Sequence, residues 1–181
     1  MARSTEPVKT GLSFAEYLAL ERSAEVKHEF VHGQLFMMAG ASDRHNRLAG
    51  RLYARLLAAE SGDCRTYISD MLVRTPDEVG YYPDVLVTCE EGEERVKRHP
   101  CLIIEVLSPT TEAIDRGEKL HNYQKFASLE AYVLVSQEEE RIEMFRRDNG
   151  GWRYEPKEAG ESLTLPCAGL ELTVEDIYIG L

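Results

Sequence analysis

Two stretches of this chain read as strands buried on both faces, yet each carries one carboxylate. Asp84 lies in Tyr82-Pro83-Asp84-Val85-Leu86-Val87, and Glu105 in Cys101-Leu102-Ile103-Ile104-Glu105-Val106-Leu107. Apolar runs of this kind belong at the centre of a covered sheet. There a lone charge costs several kcal/mol unless a cation, a set of strong donors or a metal meets it. A fold that buries these runs must therefore bring counter-charge to both points. Satisfied strand-end carboxylates are the plainest alternative.

The surrounding pattern predicts what covers the strands. Ser13 and Glu16 form a capping-box pair ahead of Phe14, Tyr17 and Leu18, so a short helix starts there. Residues 26–38 read as a hairpin turning at His32-Gly33. Ser42 or Asp43 caps a longer helix towards Glu60, with Leu48, Leu52 and Leu56 on one stripe. Thr66 to Arg74 reads as one strand, and the acidic run Glu90 to Glu94 as a solvated connection. After the Glu105 strand, Ser108-Pro109 turns into a helix over about Thr111 to Ala127, followed by a strand over Ala131 to Val135. Arg141 to Arg146 and Trp152 to Tyr154 form a hairpin through Asn149-Gly150-Gly151, and Thr173 opens a last short helix. This order predicts an α/β (α+β) fold: a mixed β-sheet flanked by helices, with both carboxylates near its middle.

The length of 181 residues predicts a single domain over 1–181. A formal charge of −11 argues against an indiscriminate binder of nucleic acid, while leaving room for a local basic groove. Cys64, Cys89, Cys101 and Cys167 show neither a CxxC pair nor a dense framework, which fits reduced thiols in a cytoplasmic protein. No signal-like segment is visible, and no run approaches the ~20 apolar residues of a membrane span, so no membrane partner is expected.

Two strand carboxylates and a backbone carbonyl are ligands suited to a hard ion, Mg²⁺ or Mn²⁺. Metal-assisted phosphodiester hydrolysis also needs a cation beside the attacking water or the developing charge. The helix after Glu105 offers Lys119, with Asp115 and Tyr123 one turn to either side on the same face. A surface ion pair fits that spacing equally well. A lysine that acts only in the transition state predicts that Lys119→Met cuts turnover and barely changes stability. Without metal, Asp84→Asn and Glu105→Gln are both expected to relieve like-charge repulsion.

Pro83-Asp84 followed by Glu105-Val106-Leu107 resembles the signature of the restriction-endonuclease-like PD-(D/E)xK nucleases, except that Leu107 stands where a lysine is usual. Within that superfamily the chain resembles the Uma-type restriction endonucleases, in which a lysine on the following helix replaces the missing one. Here that lysine is Lys119, in Asp115-Arg116-Gly117-Glu118-Lys119. The likeness runs through Glu29-Phe30-Val31-His32-Gly33, His45, Asp70 and Ser108-Pro109, over roughly residues 13 to 146. It implies a Mg²⁺-dependent nuclease acting on DNA, with Asp84, Glu105 and the Val106 carbonyl on the metal and Lys119 orienting or activating water. Glu29 would complete the acidic set, and Tyr123 would stand nearby. A homodimer stays open. His45 fits a helix-end histidine with local hydrogen bonds as well as a catalytic one. Arg44, Arg47, Arg51 and Arg55 form a face that suits phosphates or plain solvent.

Two other readings compete. His28-Glu29-Phe30-Val31-His32 spells HExxH, which on a helix would mark a zinc metalloprotease, although Gly33 follows at once and the context reads as a strand. A catalytically inactive relative that keeps the fold as a dimeric binding or regulatory module would retain the carboxylates through packing.

Overall fold

The structure, a computed structural model, describes residues 3–92 and 95–181. Helix α1 (Phe14–Glu21) begins on the predicted capping box, and β1 (His28–Val31) and β2 (Gln34–Met37) form the predicted hairpin. Helix α2 (Asp43–Ala58) is capped by Ser42. There follow β3 (Arg65–Ile68), β4 (Leu72–Arg74), β5 (Gly80–Tyr81), β6 (Val85–Thr88), β7 (Val96–Lys97) and β8 (Pro100–Val106). The crossover after β8 contains α3 (Glu112–Ile114), a π-helical turn (Asp115–Lys119) and α4 (Leu120–Tyr123). It leads to β9 (Ala131–Val135), β10 (Arg141–Asp148), β11 (Gly151–Glu158), β12 (Ser162–Leu165), β13 (Leu170–Thr173) and α5 (Val174–Tyr178), which Thr173 caps.

Among the described residues six strands make the main sheet, in the order β11-β10-β9-β8-β6-β3. Only the central β8–β9 pair is parallel there, and the crossover joins its two strands. Every residue of β8 is buried, as a strand covered on both faces requires. One face packs on α2 and α5 through Leu48, Leu52, Leu56, Leu102, Ile104 and Ile177. The other carries Ile103, Tyr123, Phe126, Tyr132 and Leu134. A second sheet, β2-β1-β5-β4-β7, carries α1 on one side and packs Val31, Phe36, Val73 and Tyr81 into the cluster that holds Ile103 and Tyr132 of the main sheet.

Several expectations need correction. The single strand over Thr66 to Arg74 is two strands in different sheets, because Ser69 turns the chain with a φ of 57° and its N–H bonds to the Asp84 carbonyl. Asp70 therefore sits in a bend with an exposed side chain paired to Lys27. Asp84 lies just ahead of β6 rather than within a strand, since Pro83 has no N–H to extend a ladder. The acidic connection is only partly solvated: Glu90 accepts the N–H groups of Arg98 (2.7 Å) and His99 (3.0 Å), and Glu93 and Glu94 lie outside the described residues. The thiol expectation also fails, because Cys64 is bonded to Cys89 and Cys101 to Cys167. These pairs are 25 and 66 residues apart, the second joining β8 to the β12–β13 turn, so no local spacing announces them. Cysteine usage then no longer argues for a reducing compartment. Among the described residues no helix is long and apolar enough to cross a membrane.

Candidate active site

Strand β6 stops pairing with β8 at Val85↔Ile104, which leaves the N–H of Val106 without a ladder partner on that side. The Asp84 side chain takes it: Oδ2 accepts from Val106 N at 2.8 Å, while the Asp84 N–H donates to Glu105 Oε2 at 3.3 Å. The two carboxylates are thus laced together by backbone donors. Asp84 is 1% exposed and Glu105 2%. His45, in the first turn of α2, brings Nε2 to 3.0 Å from the same Asp84 oxygen, so the histidine expected at a helix end is a partner of the site. Burial pushes the Asp84 carboxyl up, but the His45 ring and the Val106 amide outweigh it and hold the group well below its ordinary range.

Glu105 behaves oppositely. Burial pushes its carboxyl up; Lys119 opposes the rise and Asp84 and Asp115 add to it, leaving the group at about 8. Lys119 Nζ donates to Glu105 Oε1 at 3.0 Å and ion-pairs with Asp115 Oδ1 at 3.1 Å and Glu29 Oε1 at 3.2 Å. Burial disfavours the ammonium, yet the surrounding carboxylates more than compensate and keep it protonated. Tyr123 donates to Glu105 Oε1 at 3.0 Å, and burial holds the phenol far above its ordinary value, so it serves as a neutral donor.

The π-helical turn explains how a short crossover delivers two groups. Both of its ends, Asp115 and Lys119, face inwards, and such turns recur where a helix must re-aim side chains at a functional site. Lys119 is 4% exposed, which overturns the surface ion-pair reading. It also overturns the expectation of an untouched stability in Lys119→Met, because removing this cation leaves the buried Asp115 and Glu29 carboxylates without it and pushes Glu105 further towards its protonated form.

The structure therefore brings Asp84, Glu105, Lys119, Tyr123 and Glu29 into one buried cluster with Val106 and His45. Sequence reasoning missed Arg3, whose guanidinium meets Glu29 and Glu118. Its sequence neighbourhood holds no periodicity or motif to mark it. The arginine face of α2 is largely spent within the chain: Arg51 donates to the carbonyls of Ile177 (2.9 Å) and Ile179 (2.5 Å), and Arg47 to that of Gly180 (3.1 Å).

The zinc reading fails on geometry. His28 is in a strand and His32 in the turn beyond it, with a φ of 46°. Four residues of extended chain advance about 13 Å, too far for two ligands of one zinc ion. His28 Nδ1 is instead 3.0 Å from Glu21 Oε2. Glu29 turns into the carboxylate cluster.

The mixed sheet and the parallel β8–β9 crossover define a restriction-endonuclease-like fold. A crystal structure described as that of "a putative nuclease belonging to DUF820" from Anabaena variabilis matches with a TM-score of 0.76, covering 93% of this chain and 98% of that one. At 16% identity the two share the fold. The chain belongs to the Uma2 family, described as "Putative restriction endonuclease", whose model matches residues 14–175. Two Synechocystis proteins, slr1290 and sll1609, both described as uncharacterised, are similar to it. The first is 36% identical over 94% of this chain and 93% of its own length. The second is 37% identical over 75% of this chain and 81% of its own length. Family and fold together point to a nuclease.

Proposed function

We propose that this protein is a Mg²⁺-dependent nuclease that hydrolyses phosphodiester bonds of DNA. The observation that carries the reading is the buried Lys119 ammonium hydrogen-bonded to Glu105, whose carboxylate is laced in turn to Asp84. Asp84, Glu105 and the Val106 carbonyl offer oxygen ligands only, and among the described residues no set of three or more His, Cys, Asp or Glu side chains is arranged as a ready-made metal cage. This donor set fits Mg²⁺ or Mn²⁺, which commonly takes one or two carboxylates and keeps several waters. When bound, such an ion supplies Lewis-acid activation of the phosphoryl oxygen and an acidified water.

The chain's own groups do the rest. His45 and the Val106 N–H fix the orientation of Asp84, and Tyr123 with Lys119 fixes that of Glu105. Lys119 stays protonated, so its role is to orient water and stabilise developing negative charge rather than to act as a base. Beside His45 a cavity of about 540 Å³, whose lining includes Ser42, Arg44, Ser108 and Gln137, gives a phosphodiester strand an approach on which Arg44 can meet a phosphate.

The test is incubation of the pure protein with plasmid and with single-stranded DNA, under Mg²⁺, Mn²⁺ and EDTA. Ion-dependent cleavage is expected, and its loss in both Asp84→Asn and Glu105→Gln. Full activity in either isostere overturns the assignment. DNA binding without cleavage under either ion would favour a binding module.

A further inference from the structure

The N-terminal segment is laid antiparallel along the outer edge of β2. Ser4 N–H meets the Met37 carbonyl at 2.8 Å, Val8 N–H the Leu35 carbonyl at 2.8 Å, and Leu35 N–H the Lys9 carbonyl at 2.8 Å. Covering a bare strand edge accounts for Ser4 and Val8. It does not account for the side chain of Arg3. That side chain is 7% exposed, crosses the Phe36 ring at 4.3 Å, and ends between two carboxylates. Nη1 lies 2.8 Å from Glu118 Oε1 and 3.3 Å from Glu29 Oε2, and Nη2 lies 3.3 Å from Glu118 Oε2.

Each carboxylate has a further contact. Glu118 accepts from the Tyr81 hydroxyl (2.8 Å), which accepts from Asn122 Nδ2 (2.8 Å), so the guanidinium is anchored to the crossover. The second oxygen of Glu29 is the one 3.2 Å from Lys119 Nζ. A guanidinium that merely pinned the strap would be satisfied by its two-point contact with Glu118. Sharing Nη1 with Glu29 also fixes the rotamer of a carboxylate that holds the lysine. The strap lies outside residues 14–175, the span the family model matches.

We propose that Arg3 is a positioning residue of the catalytic centre: it orients Glu29 so that Glu29, Glu105 and Asp115 together fix the Lys119 ammonium. The kinetic part of this inference rests on the nuclease reading, whereas the relay from Arg3 to Lys119 does not.

Two measurements on the full chain separate them. The first is acylation of lysines by an N-hydroxysuccinimide acetate in metal-free protein, read by peptide mass spectrometry with Lys157 as internal reference. Arg3→Ala is expected to raise Lys119 acylation severalfold. Arg3→Lys should recover part of the protection, because one ammonium cannot span both carboxylates as the planar fork does. The second is DNA cleavage with Mg²⁺, where Arg3→Ala should lower kcat about 10-fold or more and leave KM within about twofold. Should Arg3→Ala not fold, Arg3→Gln replaces it in both arms. A lower melting temperature with unchanged Lys119 acylation and unchanged kcat would mean that Arg3 only fastens the strap, and overturns the proposal. If the wild type cuts no DNA with either ion, the nuclease reading falls and the acylation result alone decides the relay.

Discussion

The two faces of the main sheet solve opposite problems with the same strands. Towards α2 and α5, β8 presents Leu102 and Ile104 to a layer of aliphatic side chains, and burial there stabilises at roughly 25 cal/mol per Å² with few geometric demands. Towards α4, the alternate residues Ile103 and Glu105 meet Tyr123 and Tyr132, and a lysine is buried among three carboxylates. Aromatic residues suit this second face because each offers apolar area and one hydroxyl. Tyr123 bonds Glu105 and Tyr132 bonds the Asp115 carbonyl.

This contrast is sharpest if it survives substitution. The largest effect expected is at the charged face: Lys119→Met should cut turnover about 10²-fold or more. In urea at neutral pH the same variant should be less stable by about 3–5 kcal/mol, because it leaves buried charges uncompensated. Wild-type stability would mean that the cluster is neutral without its lysine. Next, Leu56→Ala on the aliphatic face should lose about 2–5 kcal/mol by leaving a cavity. Its kcat, measured well below the melting temperature, should match that of the wild type. A drop in kcat as large as that of Lys119→Met would show that the two faces are not separable.

A third prediction divides the carboxylates themselves. Glu105 is raised from 4.5 to about 8 in the fold, so the folded state holds its proton where the unfolded chain has lost it. Stability from this group is full below pH 4.5 and declines as pH rises towards 8. Without metal, Glu105→Gln should therefore gain in melting temperature over the wild type across that window, and Mg²⁺ should cancel the gain. Asp84 is lowered, so its contribution is present above its ordinary value and lost as pH falls; Asp84→Asn should destabilise at neutral pH. A like sign for both isosteres, as simple repulsion predicts, would contradict this division. The smallest effect expected is at Arg51→Ala, a loss of about 1 kcal/mol as its bonds to the C-terminal carbonyls go. Its DNA affinity should barely change, as gel shift would show.

Much of this was legible in the sequence, for local reasons. Ser13 with Glu16, Ser42 and Thr173 announce helices because a cap is a contact within three residues. The hairpin at His32-Gly33 and the apolar strand of Glu105 are equally local. The cluster of Asp84, Glu105, Lys119, Tyr123 and Glu29 was reached through ordered motifs. What escaped depends on distant partners: the break at Ser69, held by Asp84, the two cysteine pairs, and Arg3, which meets Glu118 across 115 positions. The β12–β13 hairpin is a different omission. Leu163, Leu165, Leu170 and Leu172 alternate as a half-buried hairpin should, with Gly169 supplying a positive φ at its turn, so its signal was present and unread.

The crossover between β8 and β9 also bears on how the chain reaches its native state. Glu105, Lys119 and Tyr123 fall within 18 positions of one another and Asp84 lies 21 from Glu105, so these meet by closing short loops, whereas Glu29 and Arg3 come from much farther away. Loop closure of that length is entropically cheap and fast compared with the pairing of distant strands. The strand that must desolvate an acid carries its partner cation in the segment that follows it directly. The contact between Lys119 and Glu105 is therefore one that a local closure can make, independently of the long-range pairing that brings Glu29 and Arg3.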